Sequence, residues 1–117
     1  LREASTRLAF GTDWPVVDLD PRLGIHTALT RQTADGKPEG GFGPEQRLPL
    51  DVVLDTWTSG SAYASFEDER KGTLAPGMLA DIVVMSGDLF AAPIEKVKDF
   101  EVEATIFDGR VVYSRSQ

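Results

Sequence analysis

Residues 7–16 read RLAFGTDWPV, and the reading of this stretch decides what the rest of the chain belongs to. Leu8, Ala9 and Phe10 form a short apolar run, which reads as a buried strand. Gly11 and Thr12 then deliver Asp13 to the tip of that run, and Trp14-Pro15 turns the chain away. An isolated buried carboxylate is costly, so a charge at such a tip is paired, hydrogen-bonded or metal-bound. Two readings of Asp13 follow. As an ordinary turn cap, its side chain would accept hydrogen bonds from the next backbone N–H groups. As a functional group at the C-terminal end of a parallel barrel strand, it would point into a catalytic mouth. Local pattern leaves both open.

The composition narrows the partners. With 117 residues, 41% of them hydrophobic, the chain has material for one modest domain. Its 12 Lys+Arg against 19 Asp+Glu give a formal charge of -7. Nucleic acid and anionic membrane surfaces are therefore disfavoured by like-charge repulsion. No apolar run approaches the ~20 residues of a transmembrane helix, and "LREASTRLAF" lacks the order of a signal peptide. Cysteine is absent, which removes disulfides and thiolate metal sites and fits a reducing, cytoplasmic setting. The chain opens at Leu1, on what reads as the end of a polar helix (LREAST), so it is expected to be a piece of something longer.

Downstream, the 25, 28, 29 spacing of Ile25, Ala28 and Leu29 behind Pro21 predicts a short helix or irregular helical turns. ADGKPEGGFGPEQ (34–46) is rich in glycine and proline and reads as a mobile surface loop. Leu50, Val53, Leu54 and Trp57 lie at i, i+3, i+4, i+7 behind Pro49, the signature of an amphipathic helix. Gly60 is expected to break or bend it before SAYASFEDER resumes with a helical turn. Pro76-Gly77 signals a type II turn. Ile82–Met85 reads as a strand apolar on both faces and covered on both, and 93–99 as a helical turn or short edge segment. Val102–Phe107, Asp108-Gly109 and 110–113 read as a hairpin closed by a type I′ turn.

The chemistry is sparse. A hydrolytic metal site commonly takes three or more ligands, His and carboxylate prominent among them. This chain has one histidine, His26, expected to be partly exposed on a helical turn. It has no Gly-x-Ser-x-Gly elbow, and Gly36, Gly40, Gly41 and Gly43 lack the Gly-Lys-Ser/Thr of a phosphate loop. Taken alone, the chain shows no complete active site.

FGTDWPV, IHTALTR, the run from Pro44 to Phe90 (PEQRLPLDVVLDTWTSGSAYASFEDERKGTLAPGMLADIVVMSGDLF) and VEATIFDGRVVY together resemble the C-terminal part of metal-dependent amidohydrolases. The likeness is to the family-3, YtcJ-like branch. FGTDWPV resembles its eighth barrel strand and exit loop, GTLxxGxxAD (72–81) its entry into a small β-sandwich, and TIFDGRVVY (105–113) its closing hairpin. The resemblance implies an α/β fragment: the last strand and helices of a TIM-like (β/α)8 barrel over residues 1–70, and part of a composite β-sandwich over 71–117. It implies a hydrolase of non-peptide C–N bonds, amide or cyclic amide, acting on a small-molecule amide-type substrate. The role of metal ligand and proton shuttle maps onto Asp13, with a divalent metal, zinc, in the parent and none in the isolated chain. The family's metal-binding histidines of earlier strands have no counterpart here, so the isolated chain is expected to be inactive.

Smaller readings attach to Trp14, Arg31 and Glu45 as substrate contacts at a barrel mouth, each against the blander reading of turn or surface residue. Asp81 reads as a structural cap, and Leu50, Val53, Leu54 and Trp57 as core. Sandwich edges left unpaired imply self-association into a homo-oligomer. The rival class is a non-catalytic α+β interaction or oligomerisation module, and a relative that has lost its chemistry is a third reading.

Overall fold

The structure, a computed structural model, describes residues 6–115. Of the polar helix end read at 1–6, all but Thr6 lies outside them. The chain forms two compact units. One combines 1–10, 55–87 and 101–117, and the other combines 11–54 and 88–100.

The first unit carries a three-stranded antiparallel sheet in the order β1 (Ile82–Met85), β2 (Val102–Phe107), β3 (Arg110–Ser114). Ile82 pairs with Ile106 and Phe107 with Arg110, with bulges between Val84 and Met85 and between Thr105 and Ile106. The hairpin forms as its sequence predicts. Asp108 and Gly109 take φ of 48° and 75°, the two positive values a type I′ turn needs. Asp81 has the structural place expected of it, because its Oδ1 accepts the Asp108 N–H at 2.8 Å and so holds the turn to the start of β1. The expected cover of β1 is not seen: Val83 and Val84 stand exposed, as do Phe107, Val111 and Val112.

A helical stretch supplies the unit's other half. Its α2 (Leu50–Asp55) crosses the unit boundary, and Thr56–Gly60 then winds as π-helix into α3 (Ser61–Ala64). Gly60 neither breaks nor bends it, keeping helical φ and ψ of -63° and -45°. Its lack of a side chain serves a contact instead: a Cβ there would fall on the Leu8 carbonyl oxygen.

Residues 7–10 lie along this stretch, and they do not form the strand that the apolar run suggests. A strand needs a ladder partner, and among the described residues these find helix instead. The Phe10 N–H donates to the Thr56 carbonyl (3.1 Å), and the Ser61 hydroxyl donates to the Phe10 carbonyl (2.6 Å). The Phe10 ring meets Trp57 edge-on at 6.2 Å, and the Arg7 guanidinium sits 4.0 Å over Tyr63. Such aromatic contacts contribute about 1 kcal/mol each.

In the second unit α1 (Arg22–Thr30) forms where its spacing predicts and packs on a 3₁₀ turn (Ile94–Asp99). Ile25 and Leu29 of α1 are buried, and so are Val97 of the turn and Val53 of α2. Of the expected α2 stripe, Val53 is fully buried while Leu50 and Leu54 are half-buried. Arg22 ties α1 down, donating from Nη1 to the Phe100 carbonyl (2.8 Å) and pairing with Asp20 at 2.6 Å. That guanidinium, mainly through its hydrogen bonds, holds the Asp20 carboxyl below the usual carboxylate range.

Two outcomes follow from this packing. Gly60→Ala should lower unfolding free energy by about 2 kcal/mol in urea titration, since backbone cannot yield as a side-chain end does. The lowered Asp20 pKa adds stability that is complete above the unfolded carboxylate value near 4 and is lost as pH falls through the folded one. Asp20→Asn should therefore flatten the fall in melting temperature below about pH 4.

Candidate functional site

Asp13 sits on a tight turn. Its backbone takes φ of 53°, a left-handed conformation that Asp and Asn tolerate better than most residues. The Val16 N–H closes the turn on the Asp13 carbonyl at 2.8 Å, across a cis Trp14–Pro15 bond. The side chain is exposed and, among the described residues, accepts no hydrogen bond and forms no ion pair. The cap reading thus lacks its hydrogen bond, because the turn is closed by the main chain and the carboxylate is left over. Trp14 is 64% exposed beside it.

Arg31 and Glu45 belong to a loop that the structure holds down, against the mobile loop expected from its composition. Arg31 follows the last residue of α1 at φ 61°, and its N–H donates to the Thr27 carbonyl. It clasps Phe42 from both sides. The Phe42 N–H donates to the Arg31 carbonyl (2.8 Å), and Arg31 Nε donates to the Phe42 carbonyl (2.9 Å). Arg47 closes a second clasp, from Nε to the Thr30 carbonyl (3.1 Å) and from Nη2 to the Gly40 carbonyl (2.7 Å). Gln32 Nε2 reaches the carbonyls of Gly36 and Pro38. Glycine and proline therefore shape this loop without freeing it. Gly41, at φ 82°, is the tightest point, since a Cβ there would fall on the Thr30 carbonyl oxygen. Glu45 lies exposed in a 3₁₀ turn (Pro44–Gln46). No hydrogen bond or ion pair among the described residues joins Asp13 or Trp14 to Arg31 or Glu45. Arg47 carried no signal in the sequence, where it is one more polar residue before Pro49.

His26 departs from expectation. It is buried, 2% exposed, with Nε2 on the Thr33 carbonyl at 3.3 Å and Nδ1 without a partner. Its spacing to Leu29 and Thr30 places it on the inner face of α1, a cue available in the sequence. Facing inward and engaged by Thr33, it is no ready companion for Asp13. Among the described residues no group of three or more His, Cys, Asp or Glu comes together to hold a metal. Asp13 fits one ligand of such a centre, and the described residues do not fit a whole one. Nor, among the described residues, is any helix long and apolar enough to cross a membrane.

Comparison with known proteins completes this picture. The pattern of the Amidohydrolase family matches residues 1–113. The chain belongs to that family. It is 32% identical to YtcJ of Bacillus subtilis over 108 residues, 92% of this chain and 20% of that protein. It is 34% identical to the protein LONG AFTER FAR-RED 3 of Arabidopsis thaliana, over 97% of this chain and 19% of the relative. An N-substituted formamide deformylase of Arthrobacter pascens is 25% identical, over 97% of this chain and 20% of the relative. The crystal structure of an amidohydrolase from Thermotoga maritima shares the fold, with a TM-score of 0.70 and 24% identity over 98% of this chain and 25% of that one. The amidohydrolase chain thus spans about one-fifth of the length of these curated relatives. The YtcJ-like resemblance read from FGTDWPV and its companion motifs is borne out.

Gly41→Ala should open the clasp about Phe42, because it adds both a clash and an unfavourable φ. Hydrogen exchange at the Phe42 amide should then quicken by more than tenfold, with Val53 unchanged.

Proposed function

We propose that this amidohydrolase chain supplies the C-terminal part of a hydrolase that cleaves non-peptide C–N bonds in small amides, and that Asp13 is its proton-transfer carboxylate. The observation that carries the reading is the carboxylate left free at the tip of the FGTDWP turn, in a chain matched to the family along nearly its whole length. The name of the Arthrobacter relative, a deformylase of N-substituted formamides, supports an amide as the substrate class. In the parent, residues 7–13 would be the last strand of the barrel and its exit, with the sheet at 82–114 contributing to a sandwich. Its metal, zinc by resemblance, would find one ligand in Asp13 and the others outside this chain.

The chemistry assigned to Asp13 is a proton relay. Water attacks the amide carbonyl carbon, and its proton passes to a carboxylate oxygen of Asp13 as the C–O bond forms. The same proton then moves to the amide nitrogen, which leaves as an amine when the C–N bond breaks. A carboxylate held by main-chain geometry and bonded to no neighbour is available for both transfers. Trp14 would wall the site.

Asp13→Asn is the cleanest test in the complete protein, since Asn suits the left-handed turn and keeps the shape. Amide hydrolysis should fall at least a hundredfold, with circular dichroism and melting temperature unchanged. Turnover within a few-fold of wild type would sink the assignment of proton transfer to Asp13.

A further inference from the structure

Four of the six residues that follow Asp13 carry large apolar side chains, and none of the four is buried. Trp14, Val16, Val17 and Leu19 are each more than half exposed. The run begins on the turn that bears the candidate carboxylate. The Val16 N–H reaches the Asp13 carbonyl at 2.8 Å, and a turn so closed keeps its first and last Cα atoms within about 7 Å. Trp14 and Val16 therefore stand beside Asp13 through main-chain geometry alone. Asp18, within the same run, is exposed as well. Like Asp13, it forms no hydrogen bond or ion pair among the described residues. Asp20, two residues on, is by contrast paired with Arg22.

A contiguous apolar run left in water marks a surface that another body covers. The carboxylates within it say of what kind. A permanent protein cover over Trp14, Val16 and Val17 would draw Asp13 and Asp18 out of water with them, and a carboxylate buried without a partner is costly. A small molecule that comes and goes can cover an apolar side chain and leave its charged neighbours hydrated. Ligand sites have this make-up, apolar and aromatic walls with a few polar groups among them. The same two charges repel an anion. The occupant they favour is apolar and uncharged.

We infer that Trp14 and Val16 form an apolar subsite beside Asp13, which selects amides bearing an uncharged apolar group next to the scissile C–N bond. The inference rests on the amide-hydrolase reading and adds to it the character of the substrate's side group. Trp14 is the specificity-determining residue, because its indole offers the larger apolar face. Val16 flanks it at the far end of the turn.

The test uses the complete protein and three neutral amides. N-methylacetamide is the reference, N-cyclohexylacetamide puts a ring on the nitrogen side, and N-methylcyclohexanecarboxamide puts it on the acyl side. Calorimetry on the Asp13→Asn protein reads binding without turnover. If that protein still hydrolyses the amides, the proton-transfer reading has failed by itself, and the preference is read from kcat/KM instead. At least one ring amide should bind about tenfold or more tightly than the reference. A carboxylate added to that ring should weaken it. Trp14→Ala should erase the preference by weakening the ring amide alone, with the reference amide and the melting temperature unchanged. Trp14→Phe keeps a flat apolar face and should retain most of the preference. Ring amides that bind no better than N-methylacetamide would overturn the inference, as would a carboxylate that improves binding. So would a Trp14→Ala loss that falls on all amides alike or comes with a lowered melting temperature, which marks Trp14 as packing for the rest of the protein.

Discussion

The approach of residues 7–10 to the helical stretch 56–61 is the constraint on which the first unit depends. It requires a bare Gly60 beneath the Leu8 carbonyl, and a hydroxyl at Ser61 and a carbonyl at Thr56 to occupy the polar groups of Phe10. Leu8 and Phe10 are half-buried without a ladder, and backbone groups so placed need such partners, an unmet one costing about 1–3 kcal/mol when fully buried. The π turn supplies one of them, the Thr56 carbonyl, which also accepts the Ser61 hydroxyl at 3.0 Å.

The second unit solves a different problem with the same currency. Its loop from Arg31 to Arg47 has little apolar material to bury, and it holds its shape through side-chain donors on main-chain carbonyls. Arginine suits this work, since one guanidinium can engage several oxygens while remaining charged. What results is a polar platform rather than a packed one.

How much of this was legible in the sequence depends on how local the cause is. The hairpin at 102–114 was readable because Asp108-Gly109 dictates its own turn, and α1 and α2 because apolar spacing reports a buried face directly. Family membership was readable from motifs in order. The strand expected at 8–10 finds no ladder among the described residues because a strand is a property of two segments, and the apolar run shows only one. Cover on Val83 and Val84 was misjudged likewise, from composition without a second layer. The loop was misread in the other direction: glycine and proline advertise freedom, while the arginines that remove it lie at its ends. For the candidate site, Asp13 was found by its place at the end of an apolar run, and Arg47 was not found because nothing local distinguishes a clasping arginine from a solvated one.

The π-helical turn at Thr56–Gly60 also sets how this region tolerates changes in length. Such a turn accommodates one residue more than α-helical pitch allows, and each residue advances a helix by about 100°. Substitutions there leave the angular phase of α3 alone. Removal of a single residue would restore ordinary pitch and swing Ser61, Ala62 and Tyr63 round the axis together, away from Phe10, Gly72 and Arg7. Three contacts spread over sixty-six residues of sequence (7 to 72) are thus held in one rotational register by a five-residue segment whose composition, TWTSG, looks unremarkable. Length, more than identity, is what that segment conserves for the fold.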